Sequence, residues 1–159
     1  MTSCATDHAS MHPITYALQF RGVASEAGPG VLTARATAPG GSLVTVLGSD
    51  GLRGRFEPAP GEEALLESRI VLETDGSFEL SGTIRFGSGH SLRFRTDGPG
   101  HLTPSLDRHL RHGSAVSQVH GGRGQFDGAS GRITSNFFLS DTGELTDNQL
   151  GLVFISPED

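Results

Sequence analysis

One stretch of this chain limits what it can fold into: Gly121-Gly122-Arg123-Gly124-Gln125-Phe126-Asp127-Gly128-Ala129-Ser130-Gly131. Five glycines sit around one Phe and one Ala, and each interior glycine costs a helix roughly 1 kcal/mol against alanine. Glycine reaches φ > 0 without steric penalty, so the stretch suits a tight loop between two strands. Phe126 is placed to plug the end of a sheet, with Gly128-Ala129 letting the backbone pass beside it. Ile133 to Leu139 reads as the strand that follows.

The rest of the chain agrees. Its 159 residues include 23 glycines and 8 prolines, with 35% apolar residues. That is too turn-rich for a helical bundle and fits many short strands in one domain. Residues 1–13 read as a polar tail and 14–159 as a single β-barrel domain. In the first strand Tyr16, Leu18 and Phe20 share one face, with Ala17, Gln19 and Arg21 on the other. Gly28-Pro29-Gly30 is expected to turn the chain into a strand over Val31 to Ala38, and Pro39-Gly40-Gly41 to turn it again. Asp50-Gly51 and Asp75-Gly76 carry hairpin chemistry, because Asp-Gly tolerates the positive φ of short turns. Pro58 to Leu66 is polar, with one helical turn expected near Glu62. Further strands are expected over Glu67–Glu73, Ser77–Phe86, Leu92–Phe94, Ser114–His120, Ile133–Leu139 and Gln149–Ile155. One short helix is expected between the capping Thr103 and the terminating Gly113.

Strands at this spacing suggest an antiparallel, up-and-down, all-β barrel with one or two short helices, and a two-sheet sandwich is the rival arrangement. Closure is preferred because it removes exposed sheet edges.

Net charge of −6, with all twelve basic residues arginine, lacks the footprint of a nucleic-acid binder and argues against an anionic membrane. One cysteine, Cys4, cannot form an internal disulfide. The N-terminal residues do not read as a signal peptide, and no apolar run is long enough for a spanning helix, so a cytoplasmic protein is expected.

No catalytic motif stands out. His109 and His112 lie three apart on the expected helix but lack a third ligand, so no metal is expected. Ser114, His112 and Asp107 form a triad only on paper, without a nucleophile elbow. Asp75, Asp97, Asp141 and Asp147 read as turn or solvent-face carboxylates. Polar residues inside strands are the better candidates. Asn136 alternates with Thr134 and Phe138, opposite Ile133, Ser135, Phe137 and Leu139. Gln118 and His120 share a face with Val116, and Tyr16 is the single tyrosine. A lumen residue such as Tyr16 or Asn136 could hydrogen-bond a carbonyl on an apolar ligand, which makes these the candidate catalytic pair. Gln19, Phe94, Gln118, His120 and Phe138 are the candidate substrate-binding residues.

The G-x-G-x-F-x-G-A-x-G pattern from Gly122 to Gly131 resembles the loop of allene oxide cyclase-like barrels, a group that includes dirigent-like proteins. The resemblance covers the last third of the chain and implies a calycin-like barrel that binds a flexible hydrophobic molecule in its lumen. It implies a cofactor-free cyclase acting on a polyene or polyketide-type substrate in bacterial secondary metabolism, with a non-catalytic binding barrel as the alternative. A third reading is a structural barrel with a filled lumen. No Glu on the first strand aligns with the acidic residue of the plant enzymes. Apolar residues on both faces of the last strands, Phe137 beside Phe138 and Phe154 beside Ile155, predict a homodimer or homotrimer.

Overall fold

A computed structural model describes residues 11–157; Cys4 lies outside them. Nine antiparallel strands follow one another: β1 (His12–Gly28), β2 (Val31–Gly48), β3 (Gly51–Leu72), β4 (Ser77–Phe86), β5 (Ser91–Thr96), β6 (Gly100–Pro104), β7 (Leu110–Arg123), β8 (Ser130–Ser140) and β9 (Glu144–Ile155). The sheet closes on itself through pairing of β3 with β4, and β5 and β6 both fill the gap between β4 and β7. Nine strands with two sharing one position make an eight-position barrel. Closure leaves no edge along the barrel wall. His12 and Pro13 pair with Ile155 and Phe154, so β1 starts inside the segment expected to be tail.

Both expected Asp-Gly hairpins form, each one residue early, with the glycine just after the two turn residues. Gly48 pairs with Gly51 across Ser49-Asp50, and Gly51 takes φ 99°. Asp75 accepts from both the backbone N–H and the hydroxyl of Ser77, and Gly76 takes φ 88°.

Three local expectations fail. Pro39-Gly40-Gly41 does not reverse the chain but forms a bulge within β2, and Pro58 to Leu66 is neither loop nor helical turn but part of β3. Together they extend a hairpin arm in which Gly41 to Gly48 pairs with Gly51 to Pro58. Only Ala64 to Leu72 of β3 pairs with β4, so the prolines at 58 and 60 stand on an edge, where a missing N–H breaks no second ladder. The helix expected from Thr103 to Gly113 is a β6–β7 hairpin. Ser105 Oγ caps the Asp107 N–H and Asp107 Oδ1 caps the His109 N–H, so side chains hold the turn in place of helical bonds. The helical content of the described residues is one 3₁₀ turn at Gly124–Phe126. Among them no helix is long and apolar enough to cross a membrane.

Inside, large rings meet glycines directly across the ladder. Tyr16 pairs with Gly151, Phe137 with Gly113, and Phe78 with Gly100. A Cβ on any of these glycines would overlap the facing ring. The β2–β3 part of the wall, between β1 and β4, is built small, with Ala34, Ala36, Ala38 and Ala64 all buried. An eight-position barrel has an interior just wide enough for side chains, so rings fit only where the facing wall is thin.

Gly113→Ala is therefore expected to lower unfolding stability by about 1–3 kcal/mol in chemical denaturation. In a Phe137→Leu background the same change should cost clearly less, since the ring it displaces is gone. Equal costs in the two backgrounds would show that ring and glycine are uncoupled.

Candidate functional site

β9 presents Leu145, Asp147, Gln149, Gly151 and Val153 to the interior, by the two-residue period of a strand. Asp147 stands directly between Phe20 of β1 and Phe137 of β8. Its Oδ1 accepts from Ser135 Oγ at 2.5 Å and its Oδ2 from Gln149 Nε2 at 2.9 Å. Gln149 Oε1 in turn accepts from the Tyr16 hydroxyl at 3.3 Å. The result is one polar row, Ser135–Asp147–Gln149–Tyr16, along an otherwise apolar wall.

Burial pushes the Asp147 pKa above the ordinary carboxylate value, against the opposing pull of the bonds from Ser135 and Gln149. Burial also pushes the Tyr16 phenol well above its ordinary value, and the Asp147 charge adds to that. Both groups thus hold their protons more firmly than exposed ones would. Across the interior, Ser117 Oγ is fully buried without a hydrogen-bond partner among the described residues.

A small gap beside Asp147 and Gln149, bounded by Ser68, Leu80 and Phe94, leaves ≈ 10 Å³ open to the centre of a water molecule. That is room for about one water. Aromatic clusters close both ends. Phe78 meets Phe137 edge-on at 5.6 Å between centroids near one mouth. At the other, Tyr16, Phe86 and Phe126 form a chain at 5.3 and 5.2 Å. Phe126 is buried on the 3₁₀ turn, between Gly124 and Gly128 at φ 65° and 70°.

Of the residues singled out in the sequence, Tyr16 and Phe94 face the interior. The others face outward. Asn136 is exposed, and Phe138 is 45% exposed. Gln19 donates to Asn148 at 2.9 Å on the outer wall, Gln118 donates to Asp97 at 3.1 Å, and His120 is exposed. The lumen position considered for Asn136 is thereby corrected: Ile133, Ser135 and Phe137 point inward, so residues 134, 136 and 138 point out. Val116 is a misleading guide on β7, because the rings inside require the small residues Gly113, Ala115 and Ser117 to face them. His109 and His112 share no helix; His109 meets Asp141 at 2.9 Å and His112 meets Thr103 at 2.9 Å.

Asp147 is a second correction, since it is buried rather than on a solvent face. Glu144 to Asn148 has a composition poor in strand formers, which hid the first half of β9. The only sequence signal was alternation, with Asp147, Gln149, Gly151 and Val153 in one phase. The larger Leu150, Leu152 and Phe154 occupy the other phase and obscured it.

No protein-family model and no curated protein matches the chain significantly. Among solved structures, the pterocarpan synthase dirigent protein GePTS1 is similar, with a TM-score of 0.56 at 14% identity, covering 99% of this chain and 96% of that one. The chain shares the dirigent-like β-barrel fold.

A raised Asp147 pKa has a definite sign for stability. Above about pH 3.8 the unfolded carboxyl loses its proton while the folded one keeps it, so stability falls as pH rises from there to the folded value. Melting curves across that window should show wild type losing ground to Asp147→Asn as pH rises, by about 1.4 kcal/mol for each pH unit crossed. A constant difference between the two would mean that the carboxyl ionises normally.

Proposed function

We propose that this barrel is a cofactor-free cyclase that takes a flexible hydrophobic substrate into its lumen, in the manner of small-molecule barrel enzymes. The observation that carries the reading is Asp147. A carboxyl set between two phenylalanines costs several kcal/mol of desolvation that a purely structural barrel has no need to bear. Nothing in the packing calls for an acid at that position, and perturbed acids cluster at functional sites.

The chemistry follows from the row. In its protonated form, which burial favours, Asp147 can donate to a substrate carbonyl as electron density moves onto it, with the Tyr16 phenol as a second donor. Ser135 and Gln149 orient the carboxyl. The rings and alanines supply shape, holding a folded polyene or polyketide-type chain as a near-attack conformer for intramolecular bond formation. A role in bacterial secondary metabolism, and kinship with the allene oxide cyclase-like or polyketide barrel cyclases, belong to this proposal. The alternative is a barrel that binds such a molecule without reacting it.

Entry requires movement. The gap beside Asp147 is far below the roughly 300 Å³ at which ligand sites begin. Phe126, on a short turn between glycines, is the element built to swing aside. The filled interior also favours a different reading, in which the barrel binds nothing.

Nile red, a neutral dye that brightens in apolar surroundings, separates the two. Saturable binding is expected, lost on Ser68→Leu, which fills the gap, and faster in onset on Phe126→Ala. No saturable signal in wild type, together with higher stability of Asp147→Leu, would support the filled structural barrel.

Self-association is also proposed. Thr15 to Arg21, Ser130 to Phe138 and Thr146 to Phe154 put no carboxylate on the outer wall, although the chain carries net charge −6. On that wall Leu150, Leu152 and Phe154 are 47%, 47% and 42% exposed. Two acidic copies can meet there without carboxylates facing each other. Light scattering should report a dimer or trimer that Leu150→Arg with Phe154→Arg converts to monomer. A monomeric wild type at tens of micromolar would remove the idea.

A further inference from the structure

Outside the lumen, a groove of ≈ 500 Å³ runs along the outer wall and rim, lined by Thr83, Arg85, His90, Ser91, Arg93 and Arg123. We propose that it binds a free phosphate group, as inorganic phosphate or a small phosphate monoester.

The register brings three arginines together. Arg85 of β4 pairs with Ser91 of β5, which pairs with Arg123 of β7. Arg93 stands two residues from Ser91 on the same strand and faces the same way, opposite Thr83. With strands about 4.8 Å apart, all three guanidinium groups can reach a single anion above Ser91.

What sets these three apart from the other arginines without an ion pair is that they stand together on one groove. Four of the chain's twelve arginines form an ion pair among the described residues. Arg35, Arg53, Arg55 and Arg95 do so, with Glu67, Asp50, Glu57 and Glu79. Arg85, Arg93 and Arg123 form no ion pair among the described residues. The one carboxylate on the groove, Glu67, is taken by Arg35 at 3.0 Å. Like charges gathered on neighbouring strands repel, and a bound anion removes that cost.

The remaining lining is also donor-rich. His90 Nδ1 accepts the Gln125 N–H at 3.0 Å, so the neutral ring carries its proton on Nε2. Thr83 and Ser91 add hydroxyls. Gly124 fits against His90 only because it lacks a Cβ, which ties the Gly87–His90 loop to the Gly121–Gly128 loop. A phosphate dianion has enough acceptor positions for several guanidinium forks, whereas one carboxylate is satisfied by a single bidentate arginine. Phosphate is therefore the better match.

Calorimetric titration of the full chain with inorganic phosphate and with glycerol phosphate, against acetate at equal ionic strength, tests this. Saturable one-to-one binding of both phosphates is expected, with acetate at least about tenfold weaker. Arg93 donates to the His120 carbonyl at 3.2 Å, so the decisive variants are Arg85→Gln and Arg123→Gln. Each should weaken phosphate about tenfold and the pair about a hundredfold, with unchanged melting temperature. Arg108→Gln with Arg111→Gln, at the β6–β7 hairpin away from the groove, should leave binding intact. Absence of saturable phosphate binding overturns the proposal, as does undiminished binding by the paired variant. Sedimentation with phosphatidic acid vesicles without any response to free phosphate would place the chemistry on a lipid surface and overturn it equally.

Discussion

Three aromatic side chains stand over glycines on the strands directly facing them, and the closed barrel depends on that contact. An eight-position sheet encloses a narrow interior, and rings as large as those of Tyr16, Phe78 and Phe137 fit only where the opposite backbone carries no side chain. Each glycine thus serves its neighbour rather than itself. The alanines of β2 and β3 do the same work between β1 and β4, so ring size and the size of the residues around it are set together. The same packing fixes which phase of β7, β8 and β9 faces inward, and thereby which polar groups enter the lumen.

Against that packed background, the Ser135–Asp147–Gln149–Tyr16 row is a polar strip along an apolar wall. Its hydrogen bonds satisfy the groups involved, yet an apolar set of equal volume would fill the space at lower cost. The row lies beside a small interior gap and ends at the aromatic cluster that includes Phe126. Polar row, gap and buried Phe126 are arranged along a single path, which is the arrangement the proposed lumen ligand would use.

The outer surface is divided as clearly as the interior. Charge is concentrated on β2 to β5, where arginines and glutamates alternate across the ladders, while β1, β8 and β9 present Thr, Asn, Gln and exposed aliphatic and aromatic side chains. The first set of strands carries most of an arginine groove, and the second, over residues 15–21, 130–138 and 146–154, a carboxylate-free outer wall whose charges are Arg21 and Arg132. A single wall of strands thus serves three surfaces, because alternate residues on each strand face opposite ways and can be chosen independently.

Much of the fold was legible in the chain itself. Turn chemistry placed the hairpins at Asp50-Gly51 and Asp75-Gly76, within one residue of where they lie, the glycine-rich loop placed Phe126, and two-residue alternation marked β1 and β4, because these signals are local and depend on φ preference and strand period alone. The phase of β8 was not legible, since Phe137 and Phe138 are equally apolar and either could face in. Nor was the phase of β9, where the outward Leu150, Leu152 and Phe154 are more hydrophobic than the inward Asp147 and Gln149. Those choices, and with them the identity of the buried carboxyl and the exclusion of Asn136 from the lumen, were settled by which side chains fit around rings contributed by distant strands. That is a property of the closed barrel, which no single segment carries.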